Sequence, residues 1–251
     1  MIDVHCHLEQ PDYQKDRDAV IQECRKRLKA VITSCASPRD FELAMDLTRK
    51  YPNFVFATSS IHPEYVKDFH EKEIQEFVQK ISDNRENLVA VGETGLDYFW
   101  TKENEWREKQ KSMFRAFISL SKELGKPLVI HARDASEDAV EILEQESAEN
   151  VLLHMFGEHR LLKRVVDNGW FISLNNIVLR SKKHRKIARD IPLERMMTET
   201  DAPWLSPEGG RNTPLSVGSV IRKVAEIRKT TPEEIDSATT ENAVRFFSLP
   251  L

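Results

Sequence analysis

Short apolar runs rich in β-branched residues alternate with longer amphipathic stretches from one end of this chain to the other. No other feature constrains the fold as tightly. The runs Ile2–His7, Ala30–Cys35, Phe54–Ser59, Val89–Glu93, Leu128–His131, Val151–His154, Trp170–Leu174 and Met196–Asp201 read as strands. Between them, Lys15–Leu28, Asp40–Tyr51, Glu103–Leu124, Ala135–Glu146 and Leu161–Asn168 repeat their apolar positions at helical spacing. Ser37-Pro38 and Asp134 supply the chemistry of helix starts. Pro127-Leu128-Val129-Ile130 is apolar on both faces, as a parallel strand must be when helices cover it outside and side chains fill the space inside. Strict alternation implies a parallel sheet, and eight such strands imply closure into an α/β fold, the (β/α)₈ TIM barrel. A length of 251 residues suits one such barrel and no Pro/Gly/Ser-rich linker interrupts it, so residues 1–251 are expected to form a single domain. Residues Val217 to Phe247 read as two closing helices, the second opened by Thr231-Pro232-Glu233-Glu234.

Most of these strands end in a residue able to bind a metal. Residues i and i+2 of a strand share a face, so Asp3, His5 and His7 lie on one side of the first. The fourth, fifth, sixth and eighth end in Glu93, His131, His154 and Asp201. Barrels build their sites at this C-terminal rim. A lone His-x-His is more often ordinary structure, and a rim of polar residues bonding to loops is the plain alternative for the set. Convergence of so many donors from separate strands favours metal. The donors exceed what one tetrahedral zinc takes. They suit two divalent ions about 3.5–4 Å apart with a carboxylate between them. Glu93 is the natural bridge, because its strand lies between the two histidine groups. A histidine-rich set favours Zn²⁺ or Mn²⁺ over Mg²⁺. Asp201 can bind one ion and also take a proton from an attacking water. Glu199, one pleat deeper, reads as an outer partner of a ligand.

A net charge of −4 creates no global attraction to nucleic acid, although clustered metals could still hold phosphates locally. Three cysteines, Cys6, Cys24 and Cys35, match no zinc-ribbon spacing and no disulfide framework, which points to a reducing compartment. The opening MIDVHCHLEQ lacks the basic and apolar regions of a secretory leader, and no run of about 18 apolar residues occurs. The expectation is a soluble cytoplasmic protein with no membrane association and no obligate protein partner.

Several rim residues are candidates for substrate contact. Arg133, two residues past His131, could fork onto a phosphate; its bland alternative is a salt bridge to Asp134 or Glu137. Arg211, in the long loop after the eighth strand, is expected on phosphate rather than in a cap shared with Asn212. His62, in Ser60-Ile61-His62-Pro63, is either a phosphate or leaving-group contact or a turn histidine. Tyr98, Phe99, Trp100 and Trp204 could stack unpaired bases, worth about 1–3 kcal/mol each, although Phe99 reads better as loop packing. The basic run Arg180–Lys186 is read as a solvated helix face before it is read as a track for a nucleic-acid backbone.

Taken together, His5-Cys6-His7, Gly92-Glu93-x-Gly95-Leu96-Asp97-Tyr98, Ile130-His131-x-Arg133-Asp134-Ala135, Leu153-His154 and Thr198-Glu199-Thr200-Asp201-Ala202-Pro203-Trp204-Leu205 resemble the TatD family of metal-dependent deoxyribonucleases, in the amidohydrolase superfamily. Ile61-His62-Pro63 and Arg211-Asn212 fit the same pattern. The resemblance spans nearly the whole chain. It implies a barrel of the metallo-dependent hydrolase type, with His5 and His7 on one metal, Glu93 bridging, and His131 and His154 on the second. Asp201 would stand at the reaction centre. It also implies DNA hydrolysis, often exonucleolytic, with magnesium commonly supplied. Two places depart from the family: His154-Met155-Phe156-Gly157-Glu158 replaces His-Cys-Phe-Ser-Gly, and Arg211-Asn212-Thr213-Pro214 replaces Arg-Asn-Glu-Pro.

The expected function is therefore phosphodiester cleavage in DNA, with RNA as the other candidate substrate, by water activated at a two-metal site. A metal-dependent amidohydrolase or lactonase of a small molecule is the alternative. Glu93, standing where many amide hydrolases use a carbamylated lysine, leans towards the diester. A metal-stabilised interaction module without turnover is disfavoured by the presence of Asp201.

Overall fold

The computed structural model describes residues Met1–Leu251. Eight parallel strands follow one another in sequence order around a nearly closed barrel. They are β1 (Ile2–Cys6), β2 (Ala30–Cys35), β3 (Val55–Ser59), β4 (Ala90–Asp97), β5 (Leu128–Arg133), β6 (Val151–Leu153), β7 (Phe171–Leu174) and β8 (Met196–Thr198). The helices between them are α1 (Arg17–Arg25), α2 (Phe41–Lys50), α3 (Glu71–Asp83), α4 (Asn104–Leu124), α5 (Ser136–Gln145), α6 (Leu162–Asp167) and α7 (Lys182–Asp190). α8 (Val217–Arg228) and α9 (Pro232–Phe247) follow the last strand, and α9 opens with the capping box of Thr231 and Glu234 that the sequence leads one to expect.

The seam between β8 and β1 is sewn by polar groups as much as by backbone. Asp3 accepts from the Thr200 amide at 3.0 Å and from its hydroxyl at 2.5 Å. Just beyond, Asp201 N donates to His5 O at 2.9 Å and His7 N to Ala202 O at 2.7 Å. Both carboxylate oxygens of Asp3 are taken up by Thr200 and the His5 amide, so it closes the barrel rather than facing a ligand.

Strand alternation separates the interior into an apolar base and a polar top. β2 carries Ile32 then Ser34, β5 Val129 then His131, and β6 Leu152 with His154 just past its end. Ile32, Val129, Leu152 and Met197 form one cluster with Phe246 and Phe247 of α9, which therefore packs under the site. Apolar side chains at the base hold the strands at fixed spacing, and this fixes where the polar residues above them point.

β4 runs farther than the sequence implies. Its register against β5 slips between Val91 and Thr94, and it continues to Asp97. Gly92 and Gly95 look like strand breakers in sequence, yet here they let two backbones approach. A Cβ on Gly95, whose φ is +138°, would lie 2.0 Å from the His131 carbonyl oxygen. Gly95→Ala should destabilise the fold by about 3 kcal/mol or more, since backbone on both strands would have to move. Equilibrium urea unfolding would measure this, and a midpoint equal to wild type would refute the close-approach argument.

Two local expectations need correcting. Ser37 does cap a turn, accepting from Arg39 N at 3.2 Å, but the turn is a 3-10 segment ahead of α2. Asp134 caps nothing: it adopts φ 53°, and Ala135 takes the N-cap position of α5. A short polar side chain tolerates that left-handed conformation, which the tight β5–α5 connection requires.

Candidate metal centre

The six expected ligands come together around one buried carboxylate. Glu93 Oε2 lies 3.1 Å from His5 Nε2 and 3.8 Å from His7 Nε2. Its other oxygen, Oε1, lies 2.8 Å from His131 Nδ1 and 3.0 Å from His154 Nε2. The two histidine pairs thus fall on opposite oxygens of the same group. Asp201 joins the first pair, with Oδ1 3.5 Å from His7 Nε2 and 3.9 Å from His5 Nε2. His62 reaches the second side, its Nε2 3.6 Å from Glu93 Oε1.

Each ring is held from behind. Ser34 Oγ is 3.2 Å from His5 Nδ1, and Glu9 Oε1 is 3.3 Å from His7 Nδ1. Glu9 is itself fixed by the Thr33 hydroxyl at 2.5 Å. Glu199 Oε1 is 3.2 Å from His154 Nδ1 and accepts from Met155 N at 3.2 Å and Asn175 Nδ2 at 3.1 Å, while Ser173 donates to its second oxygen. Glu199 thus has the supporting position read from the sequence. Asp97 Oδ2 sits 3.0 Å from His131 Nε2, and its Oδ1 accepts from Phe99 N and Trp100 N at 2.9 Å each. Such partners set ring orientation and tautomer.

Glu9 and Asp97 are site residues that sequence reasoning passed over. Asp97 continues the alternation of Glu93 and Gly95 along β4, and Glu9 carries the two-residue spacing of Asp3, His5 and His7 into the turn past β1.

The electrostatics show what this pocket is built to hold. Burial opposes the charge on Glu93, but the imidazoles of His154, His5 and His62 and the hydrogen bond from His131 keep it well below the usual carboxylate range. Asp201 is likewise held low against burial, chiefly by the hydrogen bond from His7. Burial works against protonation of His7 too, yet its bonds to Asp201 and Glu9 carry its pKa to about 10. His131 and His154 are also raised, against burial, by Asp97 and Glu93 and by Glu93 and Glu199 respectively. Protons on these rings supply the positive charge that the buried carboxylates demand. A nitrogen-and-oxygen donor set that gathers positive charge in this way fits divalent cations.

The pattern that defines the TatD-related DNase family matches residues 2–248. The chain belongs to that family. As a member it is a metal-dependent hydrolase. It is 34% identical over 258 residues to the uncharacterised metal-dependent hydrolase YabD of Bacillus subtilis, covering 99% of each chain. It is 30% identical over 258 residues to the deoxyribonuclease TATDN3 of Homo sapiens, covering 98% of this chain and 94% of the relative. Among solved structures, YjjV, a TatD homologue from Escherichia coli, superposes with a TM-score of 0.91 at 24% identity over 100% of this chain and 98% of its own, a likeness of fold.

In this TatD-family chain the ligand cluster forms the floor of a cavity of about 630 Å³ at the C-terminal rim. Of the residues expected on substrate, His62, Arg133 and Trp204 line it. Arg133 makes no salt bridge to Asp134 or Glu137; its guanidinium stacks 3.8 Å over the Phe99 ring at the cavity edge. Trp100 and Trp204 are about half exposed at the mouth, and the Trp204 ring meets His7 edge-on at 4.7 Å.

Arg211 is the exception. It forks onto Asp16 at 2.6 and 2.7 Å, donates to Asp12 O and lies over Tyr13, away from the cavity. Its loop partner Asn212 is buried and donates to Trp204 O at 2.8 Å, so this pair shapes the loop that carries Trp204. The basic run forms the start of α7, where Lys183 pairs with Glu158 and Arg185 holds the carbonyls of Val178 and Leu179. These ties favour the helix-face reading of that run.

Proposed function

We propose that this TatD-family hydrolase cleaves phosphodiester bonds in DNA at a site holding two divalent ions, Zn²⁺, Mn²⁺ or Mg²⁺, and that residues 1–251 act as one unit. The observation that carries the reading is the division of the histidines between the two oxygens of Glu93. One carboxylate facing two separate nitrogen pairs is the arrangement of a bridge. His5 and His7 would hold one ion with Asp201, and His131 and His154 the other. Such ions supply Lewis acidity to water and to phosphoryl oxygen.

The chain's own groups do the rest. Asp201, at the edge of the first histidine pair, accepts the proton of the attacking water. Arg133, tied up in no salt bridge, anchors a phosphate. Trp204 and Trp100 stack unpaired bases at the mouth. The name of the human relative, a deoxyribonuclease, favours DNA over other esters. A cavity of about 630 Å³ fits a strand end better than a continuous duplex, which favours exonucleolytic cleavage. No helix is long and apolar enough to cross a membrane, and the three cysteines are buried and unpaired, which suits the cytoplasm.

The test is cleavage of end-labelled single- and double-stranded DNA by metal-stripped protein, re-supplied separately with Mg²⁺, Mn²⁺, Zn²⁺ or Co²⁺. Metal-dependent products are expected, and a one-nucleotide ladder would show exonucleolytic action. Protein that holds metal yet yields no product with any ion would overturn the reading in favour of a small amide, lactone or phosphoester.

A further inference from the structure

The imidazoles around Glu93 are not wired alike. His7 and His154 present Nδ1 to carboxylates, Glu9 at 3.3 Å and Glu199 at 3.2 Å. A carboxylate accepts, so Nδ1 keeps its hydrogen, and Nε2 is the nitrogen that would give up its proton and offer a lone pair to a cation at the centre. His62 has the opposite wiring. Its Nδ1 accepts from the backbone N–H of Glu64 at 3.2 Å, where His62 caps the 3-10 turn Pro63–Lys67. A backbone amide can only donate. The lone pair of Nδ1 is therefore spent, and in the neutral ring the hydrogen sits on Nε2. The Glu64 carboxylate, 4.0 Å from Nδ1, is too far to reverse this.

By distance alone, His62, Glu93 and His131 form a set that could hold a metal. The wiring argues otherwise, because a nitrogen that carries a hydrogen has no lone pair for a cation. We infer that His62 is a hydrogen-bond donor to substrate and not a metal ligand, with its Nε2–H directed at the oxygen that leaves phosphorus. This rests on the phosphodiester reading above. The placement follows from the two sides of Glu93. Asp201 stands with His5 and His7 by Oε2, whereas His62 Nε2 lies 3.6 Å from Oε1, on the side of His131 and His154. In-line displacement puts the entering and departing oxygens on opposite sides of phosphorus. A proton acceptor on one side and a fixed N–H on the other match that axis. As the bond from water oxygen to phosphorus forms, the bond to the departing oxygen breaks. Asp201 takes the water's proton, and the departing oxygen leaves as an alkoxide held by the His62 N–H, then takes a proton from bulk water.

Two substitutions separate the functions of the ring. In His62→Asn the side-chain oxygen can still accept from Glu64 N, keeping the turn, but nothing donates from the place of Nε2. In His62→Gln the amide reaches that place and can donate. Both variants should retain the metal content of the wild type by elemental analysis. His62→Asn should lose roughly 10²-fold in kcat on a dinucleotide, whose departing group is an alkoxide, with little change in KM. On a nitrophenyl diester, whose departing phenolate needs little help, the loss should shrink to a few-fold, and Gln should recover part of the dinucleotide rate. Histidine ¹⁵N shifts of metal-free and zinc-loaded protein should show His62 protonated at Nε2 in both. A drop in metal content in both variants, or a zinc-induced shift of the His62 nitrogens, would make it a ligand and overturn the inference. An equal loss on both diesters would remove it from the departing oxygen. If the wild type cleaves neither diester, the phosphodiester reading fails and takes the departing-oxygen assignment with it. The shifts and metal count then still decide between donor and ligand.

Discussion

Asp201→Asn should lower turnover by roughly 10³–10⁴-fold while leaving metal content close to wild type. The substitution suits the backbone, because Asp201 adopts φ 59° and asparagine is among the few residues that accept that conformation readily. The bonds that hold the residue are made by its main chain: its N–H donates to His5 O at 2.9 Å, and its carbonyl accepts from Trp204 N at 2.9 Å. Neither depends on the side chain. What changes is the ability to take a proton. A carboxylate held low by its bond to His7 is ionised at neutral pH and ready to accept, whereas an amide is not. Steady-state rates on DNA with metal analysis of the same preparation provide the check. Near-normal turnover would remove Asp201 from proton transfer, and loss of metal with turnover would make it a ligand first.

The barrel was readable because its physics is written locally. Parallel strands buried on both faces need continuous apolar runs, and helices over them need a repeating stripe, so β1 to β8 begin within one residue of where the apolar runs do. Strand ends were harder. His7, His154 and Asp201 lie just beyond the regular ladder, where the chain is already leaving the sheet. The clustering of the candidate ligands was legible because alternation fixes facing. Asp97 was not, because the slip at Gly92–Glu93 interrupts the pattern and glycine ordinarily ends a strand.

Arg211 shows the other limit. A basic residue in a long rim loop is equally able to meet a phosphate or an acidic neighbour, and sequence spacing cannot bring Asp16 into view across so many residues. Arg133 went the other way, since the nearest acids in sequence do not reach it and Phe99 does. Long flexible cations are placed by tertiary neighbours, whereas a histidine on a strand is placed by its own backbone. That difference explains why the grouping of the histidines about Glu93 was read more completely than the contacts around it.

The second large effect is expected at Glu93. Glu93→Gln preserves shape but removes the charge around which both histidine pairs are gathered. If Glu93 merely oriented one ring, the variant would lose a single ion, or bind it some 10–100-fold more weakly, as expected for Glu199→Gln. A bridge predicts more. The negative charge of a shared carboxylate would offset the repulsion between two cations, so its loss should weaken both sites together and abolish measurable turnover. Equilibrium dialysis with elemental analysis should find both ions depleted in Glu93→Gln, at a concentration where wild type holds two. Thermal unfolding gives an independent reading. A ligand that binds only the folded state at 100 times its Kd stabilises by about 2.7 kcal/mol per site, a gain the wild type should show and Glu93→Gln should largely lack. Retention of one full equivalent with half the stabilisation would show two independent sites and end the case for a bridge.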